Sequence, residues 1–160
     1  MKLIHIVHNK EKEVNTIHKT TEMEDVKINV KIKLSALWVA LMFFYLYADV
    51  LAFYQPGNIE GIIAGEIGGM KFNQVFSLGS AIIMAIPSVM VFLSLTLKAK
   101  ANRWTNIILG IFHWGILLAV MLFGPSAGVY YTFYIIAEAA LIALIVWYAW
   151  KWPKQEIQSY

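Results

Sequence analysis

The stretch GVYYTFYIIAEAALIALIVWYAW, residues 128–150, is apolar almost throughout and holds a single charged side chain, Glu138. A helix rises 1.5 Å per residue, so about 20 residues cross the roughly 30 Å hydrocarbon core of a bilayer. Three comparable apolar runs precede this one, at residues 34–54, 74–97 and 104–124. The sequence therefore predicts four transmembrane helices.

Composition agrees with that prediction. Of the 160 residues, 59% are hydrophobic and only 14% are charged, whereas a soluble domain carries about 25% charged residues. Four buried helices of a soluble protein would need polar faces that these runs lack, and continuous apolar runs are unlike the alternating strands of a barrel. We therefore expect an all-α integral membrane protein, an antiparallel four-helix bundle.

The distribution of basic residues predicts the orientation of the bundle. All but one of the 13 Lys and Arg residues lie in the N-terminal segment, the 98–103 loop or the C-terminal tail, and the exception is Lys71. Cytoplasmic loops of membrane proteins are enriched in Lys and Arg. We therefore expect both termini in the cytoplasm.

The predicted membrane domain spans residues 33–152. Residues 1–32 are interpreted as a basic, partly disordered cytoplasmic extension, and residues 153–160 as a short tail. VKINVKIKL, 26–34, alternates apolar and polar residues, so it is either a strand or a basic lead-in lying against anionic lipid. The glycine-containing segment 55–73 is either a flexible loop, which we favour, or a short interfacial helix.

Two short connections make consecutive helices neighbours in the predicted bundle. GPSA, 124–127, predicts a tight turn between helices three and four, and KAKANR, 98–103, joins helices two and three. Asn102 is expected to cap helix three, and Trp38 is expected in an interfacial aromatic belt. The residues expected to anchor the helix ends at the membrane interface are Arg103, Asn102, Trp104 and Trp150.

Glu138 is the first candidate for a functional residue. It lies ten residues into the fourth run, about 15 Å along a helix and near the membrane midplane. A carboxylate at that depth is expensive and must face the bundle interior. Tyr131 and Tyr134 precede it at spacings that place all three on one helix face, so their phenols can donate to the carboxylate.

Three further polar residues are candidates for the same site. His113 lies at nearly the depth of Glu138 in the adjacent antiparallel helix, which predicts either a His113–Glu138 pair or a satisfied core histidine. Tyr45 and Asp49 share one face of helix one. Asp49 belongs either to a ligand or proton site or to the outer interface.

The sequence lacks the motifs of several classes of enzyme and metal site. The sequence has no cysteine, no HExxH, GxSxG or P-loop pattern and no histidine cluster. We predict no metal, no cofactor and no nucleic-acid partner. The expected partners are membrane lipid and a lipophilic small molecule such as a quinone. Pairs of small residues at helical spacing, such as Ala139 and Ala143, predict either tight helix contacts or a homo-oligomer surface.

Three segments of the chain resemble a known family. KLSALWVALMFFYLYADVL (33–51), KAKANRWTNI (98–107) and IVWYAWKW (145–152) are similar to DUF6326, small bacterial four-helix membrane proteins of unknown function. The more specific parts are YLYADV and ANRW. The resemblance covers roughly residues 30–152 and implies a four-span bundle in a bacterial inner (plasma) membrane. The family pattern has an acidic residue before the proline of helix two, where this chain has Ala85, so it departs from the family there.

Three functions compete at this point. The favoured one is a lipophilic-ligand-binding or accessory membrane protein with a buried Glu/Tyr site. The alternative is a small proton-coupled transporter that uses Glu138. An intramembrane enzyme is the least favoured, because the four apolar runs contain few side chains that could act as a catalytic acid or base.

Overall fold

The structure, a computed structural model, describes residues 26–67, 69–123 and 128–153. It contains four long helices, α1 (Val30–Ala52), α3 (Gln74–Thr96), α4 (Ala99–Phe123) and α5 (Val129–Trp150), with a short helix α2 (Asn58–Ile63) and two two-residue strands, β1 (Glu66–Ile67) and β2 (Met70–Lys71). The four long helices are each long and apolar enough to cross a membrane. The predictions for most of the N-terminal extension, the GPSA turn and most of the tail lie outside the described residues.

Side-chain caps set the beginnings of two helices. Asn29 accepts a 2.9 Å hydrogen bond from the backbone N–H of Lys31, so α1 begins at Val30 rather than at residue 34. The strand interpretation of residues 26–34 is therefore wrong from Val30 onward. Asn73 caps α3 in the same way, by accepting a 2.9 Å hydrogen bond from the N–H of Phe76. Each cap stabilises its helix because it satisfies an N–H that lacks an intrahelical acceptor.

Helix α4 begins earlier than predicted. Its first residue is Ala99, so most of the predicted 98–103 loop is helical and the connection from α3 is reduced to Leu97 and Lys98. Asn102 consequently lies inside the first turns of α4 and does not cap it. Its side chain instead forms hydrogen bonds in the bundle interior.

The helices do not all pack equally. Helix α1 packs against both α3 and α5, and α4 packs mainly against α5, whereas α3 and α4 meet sparsely although they are consecutive. The predicted neighbours α4 and α5 are thus confirmed. They pack tightly at Gly110, where an added Cβ would lie 2.7 Å from Cγ2 of Val146. The apolar core between the helices comprises Leu34, Trp38, Leu41, Met90, Ile107, Leu117, Ile142, Ile145 and Ala149.

One end of the bundle carries the only β structure among the described residues. There, α1 ends, α2 follows, and β1 pairs antiparallel with β2, so that Glu66 opposes Lys71. We call this the hairpin end, and the opposite end, where α1 begins and α5 finishes, the termini end. The short helix that we considered for residues 55–73 is present as α2, entered through Gly57 with φ +84°, a backbone conformation that favours glycine.

Candidate functional site

A buried hydrogen-bond network occupies the half of the bundle nearest the termini end. Trp38 Nε1 donates to Asn106 Oδ1 at 2.7 Å, and Asn106 Nδ2 donates to Asn102 Oδ1 at 2.7 Å. Asn102 Nδ2 in turn donates to the backbone carbonyl of Ser94. The network joins α1, α4 and α3, and its four residues are fully buried. Trp38 and Asn102, which we expected at the membrane interface, thus have their side chains inside the bundle.

Sequence reasoning missed this network, although a signal for it exists. Asn102 and Asn106 are four residues apart and so share one face of α4. Two carboxamides on one face of an apolar helix need buried partners. The partner, Trp38, is typical of an interfacial belt, and only the packing of α1 shows that its indole points inward.

His113 lies beyond Trp38 toward the hairpin end and is 1% exposed. Its ring packs edge-on against the Trp38 ring at 5.6 Å and stacks on the Tyr45 ring at 6.3 Å between centroids. Nδ1 donates to the Leu109 carbonyl at 2.9 Å, and Nε2 is buried without a hydrogen-bond partner among the described residues. The predicted His113–Glu138 pair is therefore not formed, because one ring nitrogen is committed to its own helix and the other makes no bond.

Proline changes the backbone next to His113. Pro87 has no N–H, so the carbonyl of Ile83 loses its intrahelical partner. That carbonyl lies beside the His113 ring without completing a hydrogen bond to Nε2. Ser88, the next residue, donates from Oγ to the Met84 carbonyl at 3.3 Å, as is common where a membrane helix is interrupted by proline.

Glu138 faces the interior, as predicted, and is 7% exposed. It lies about 14 Å along α5 from Val129 at 1.5 Å per residue. It interacts electrostatically with Asp49 and Tyr45 of α1, and with Tyr131 of its own helix. We call these four residues the carboxylate cluster. Of the hydrogen bonds formed among the described residues, none involves the Glu138 carboxylate.

Tyr134 takes a different position from the one expected. Its ring packs edge-on against Phe44 at 5.7 Å and against Phe133 at the same distance. It therefore contributes to the aromatic contact between α5 and α1. The phenols that interact with Glu138 are those of Tyr45 and Tyr131, one from each side of the α1–α5 contact.

An open groove of about 350 Å³ runs between α1 and α3. Its wall is mostly apolar, and its polar members are Tyr45, Asp49 and Ser88. We call it the α1–α3 groove. Tyr45 and Asp49 belong both to this groove and to the carboxylate cluster, so the buried Glu138 lies behind the groove's polar end. The apolar lining residues are Val39, Met42, Phe43, Leu46 and Met84.

The remaining candidates lie at the termini end. The Arg103 guanidinium packs over the Trp150 ring, 5.8 Å from its centroid, and Trp104 is half exposed. Lys33 and Lys151 lie over the rings of Tyr148 and Trp147. Cation–π contacts of this kind hold long basic side chains against aromatic ones. In the described ranges, no three His, Asp or Glu side chains converge to form a metal site.

One protein family matches a stretch of the chain that contains all four long helices. The model of DUF6326, described as a family of unknown function, matches residues 21–159. The chain belongs to the DUF6326 family. Neither a curated protein nor a solved structure matches it. The family match confirms the resemblance drawn from the three quoted segments and extends beyond them at both ends. Since DUF6326 brings no activity with it, the function has to be argued from the groove and the carboxylate cluster.

Proposed function

We propose that this protein is a membrane-embedded binding or accessory protein for a lipophilic small molecule that occupies the α1–α3 groove. One observation carries the proposal: Tyr45 and Asp49 line an otherwise apolar groove and also interact electrostatically with the buried Glu138. Ligand sites are mostly apolar concavities with a few convergent polar groups. A lipophilic molecule would lie along the apolar wall and direct its polar end toward Tyr45 and Asp49.

The four apolar helices indicate the membrane in which the protein would bind its ligand. We place them in a bacterial inner membrane, with the termini end in the cytoplasm and the hairpin end outside. Basic side chains support this orientation. Lys31, Lys33, Lys98, Lys100, Arg103 and Lys151 lie at or near the termini end, and Lys71 lies in the hairpin. In this orientation the polar end of the groove faces the outer half of the bilayer.

The test is to block the groove and follow what co-purifies. Met84→Trp places a bulky ring in the groove wall, and Phe92→Trp is its matched control, because Phe92 lies on the same helix, is 65% exposed and is not a groove residue. Native mass spectrometry and organic extraction would be applied to wild type and both variants in two mild detergents. A small molecule present in wild type and Phe92→Trp but lost from Met84→Trp is expected. Equal content in all three would contradict the proposal.

A second candidate, a small proton-coupled transporter, is favoured by the position of the carboxylate cluster. Asp49 lies in the last turn of α1 and Tyr131 in the first turn of α5, both at the hairpin end, whereas Glu138 lies about 10 Å deeper along α5 than Tyr131. Titratable groups therefore extend from that end to mid-bundle, which is typical of proton routes in membrane proteins. Glu138→Gln should then abolish pH-driven flux in vesicles. Equal flux in wild type and variant would exclude this candidate.

A further inference from the structure

The charges around the α1–α3 groove are of one sign. The carboxylate cluster supplies Asp49 at the groove and Glu138 behind it. Helix α3, which forms the opposite wall, has no titratable side chain anywhere in its sequence. Lys71 opposes Glu66 in the hairpin. Within the described part of the chain, no cationic side chain forms a salt bridge with either Asp49 or Glu138.

His113 is not one of the groove residues, and its ring is bonded to its own helix. A carbonyl oxygen can only accept, so the bond to Leu109 places the proton on Nδ1. A neutral ring with that tautomer satisfies this bond and carries a lone pair on Nε2. Tyr45 is stacked between this ring and the groove, so the histidine does not itself reach the site.

The position of Glu138 also favours a cationic ligand. It is more than nine-tenths buried and has no hydrogen-bond partner among the described residues, yet it interacts with both groove residues of the cluster. A buried carboxylate is unfavourable unless it is paired with a cation or hydrogen-bonded. A cation at Asp49 would offset the negative charge of both carboxylates at once.

We propose that the ligand of the α1–α3 groove is a cationic amphiphile, with an ammonium-type head at Asp49 and Tyr45 and an apolar tail along Met42, Val39 and Met84. This inference rests on the proposed binding function and names the class of its ligand. The Tyr45 and Phe43 rings that line the groove add a face that attracts a cation. The open side of the groove leaves room for a tail longer than the groove itself.

Two probes with the same tail and different heads test the charge requirement. Decyltrimethylammonium and decanol would be titrated separately into the full chain in nanodiscs made only of phosphatidylcholine, with empty nanodiscs subtracted. The readout is the ratio of the two dissociation constants. We expect wild type to favour the ammonium by about tenfold or more, as an unpaired carboxylate next to an aromatic ring should.

The variants separate this inference from the proposed function. Asp49→Asn should reduce the ammonium preference several-fold and leave decanol binding intact, which also shows that the site has folded. Glu138→Gln should act in the same direction, and gives the same readout if Asp49→Asn does not fold. Glu60→Gln, an equivalent change at an exposed acid of α2, should leave the ratio unchanged.

Two results would overturn the inference. If decanol binds as tightly as the ammonium and Asp49→Asn leaves the ratio unchanged, the ligand class is wrong and the binding function stands. If neither probe binds above empty nanodiscs, the inference and the proposed binding function both fail.

Discussion

The indole N–H of Trp38 and the side-chain oxygen of Asn106 form a 2.7 Å hydrogen bond through the middle of the bundle. The bond joins α1 to α4, two helices that are not principal packing neighbours. Both residues are fully buried, so neither group can exchange its partner for water. A buried donor and acceptor of this kind bind two helices together because separating them leaves both unsatisfied.

Trp38→Phe should lower the free energy of unfolding by about 2 kcal/mol, through the unsatisfied Asn106 oxygen and the smaller ring. The Ser94 hydroxyl, 3.5 Å from that oxygen, replaces the lost donor only weakly. Unfolding by SDS in mixed micelles measures the change. Trp104→Phe is the matched control, because Trp104 is 50% exposed, and it should change stability by less than about 0.5 kcal/mol. Equal losses in the two variants would contradict the role of the bond.

Gly110→Ala should destabilise the contact between α4 and α5. The new Cβ would meet Val146 Cγ2 at 2.7 Å, and overpacking of this kind costs about 1–3 kcal/mol. Adding Val146→Ala should recover most of the loss. Gly115→Ala on the same helix has nothing within 4 Å of its added Cβ, so it should be neutral or slightly stabilising. Thermal unfolding of the four proteins, including the double variant, distinguishes a close contact from a general intolerance of alanine.

Glu138→Gln should leave stability unchanged or raise it. The carboxyl group has no hydrogen-bond donor among the described residues, so a neutral amide of nearly the same shape replaces it without breaking a hydrogen bond, and burying the amide costs less than burying a carboxylate. Thermal stability near neutral pH in a single detergent is the measurement, with Glu60→Gln as the exposed counterpart. A loss of about 1 kcal/mol or more would show that a charge-assisted partner holds the carboxylate.

Lys31→Met should weaken the contact between α1 and the end of α3. The Lys31 ammonium donates to the carbonyls of Leu97 at 2.7 Å and Leu95 at 3.2 Å, which are among those left unpaired at a helix C-terminus. We expect a loss of about 0.5–1.5 kcal/mol in the same SDS titration. Lys27→Met changes an exposed lysine before the helix and should have no measurable effect. Indistinguishable curves for the two variants would rule out the cap.

Sequence periodicity and hydropathy predicted the four helices well, because a span needs a long apolar run and little else. The helix ends were harder to predict. Asn29 caps α1, and the residues after Lys98 already belong to α4. From composition alone, both helices would be expected to end at the first polar side chain. Polar residues at a helix end are compatible with both a loop and a helical turn, and only the cap geometry distinguishes them.

The candidate site was predicted in part. Glu138 was placed correctly in the interior, since a mid-span carboxylate has few alternatives. Its neighbours were not predicted, because residues at equal depth need not face each other. Tyr45 interacts with it electrostatically, and His113 does not form the expected pair. The α1–α3 groove depends on the shapes of two packed helices, and a single sequence carries no direct sign of that packing.

Pro87 and His113 together have a consequence for how α3 and α4 are joined. The proline leaves the Ile83 carbonyl of α3 without its usual donor, and the Leu109 carbonyl of α4 accepts from the ring. A neutral imidazole has a single N–H, and two acceptors compete for it. With the proton on Nδ1, the His113 ring donates to the Leu109 carbonyl of its own helix. In the other tautomer the proton would be on Nε2 and available to the Ile83 carbonyl of α3. The location of one hydrogen atom on the His113 ring therefore decides which of these two carbonyls, one from each helix, has a donor.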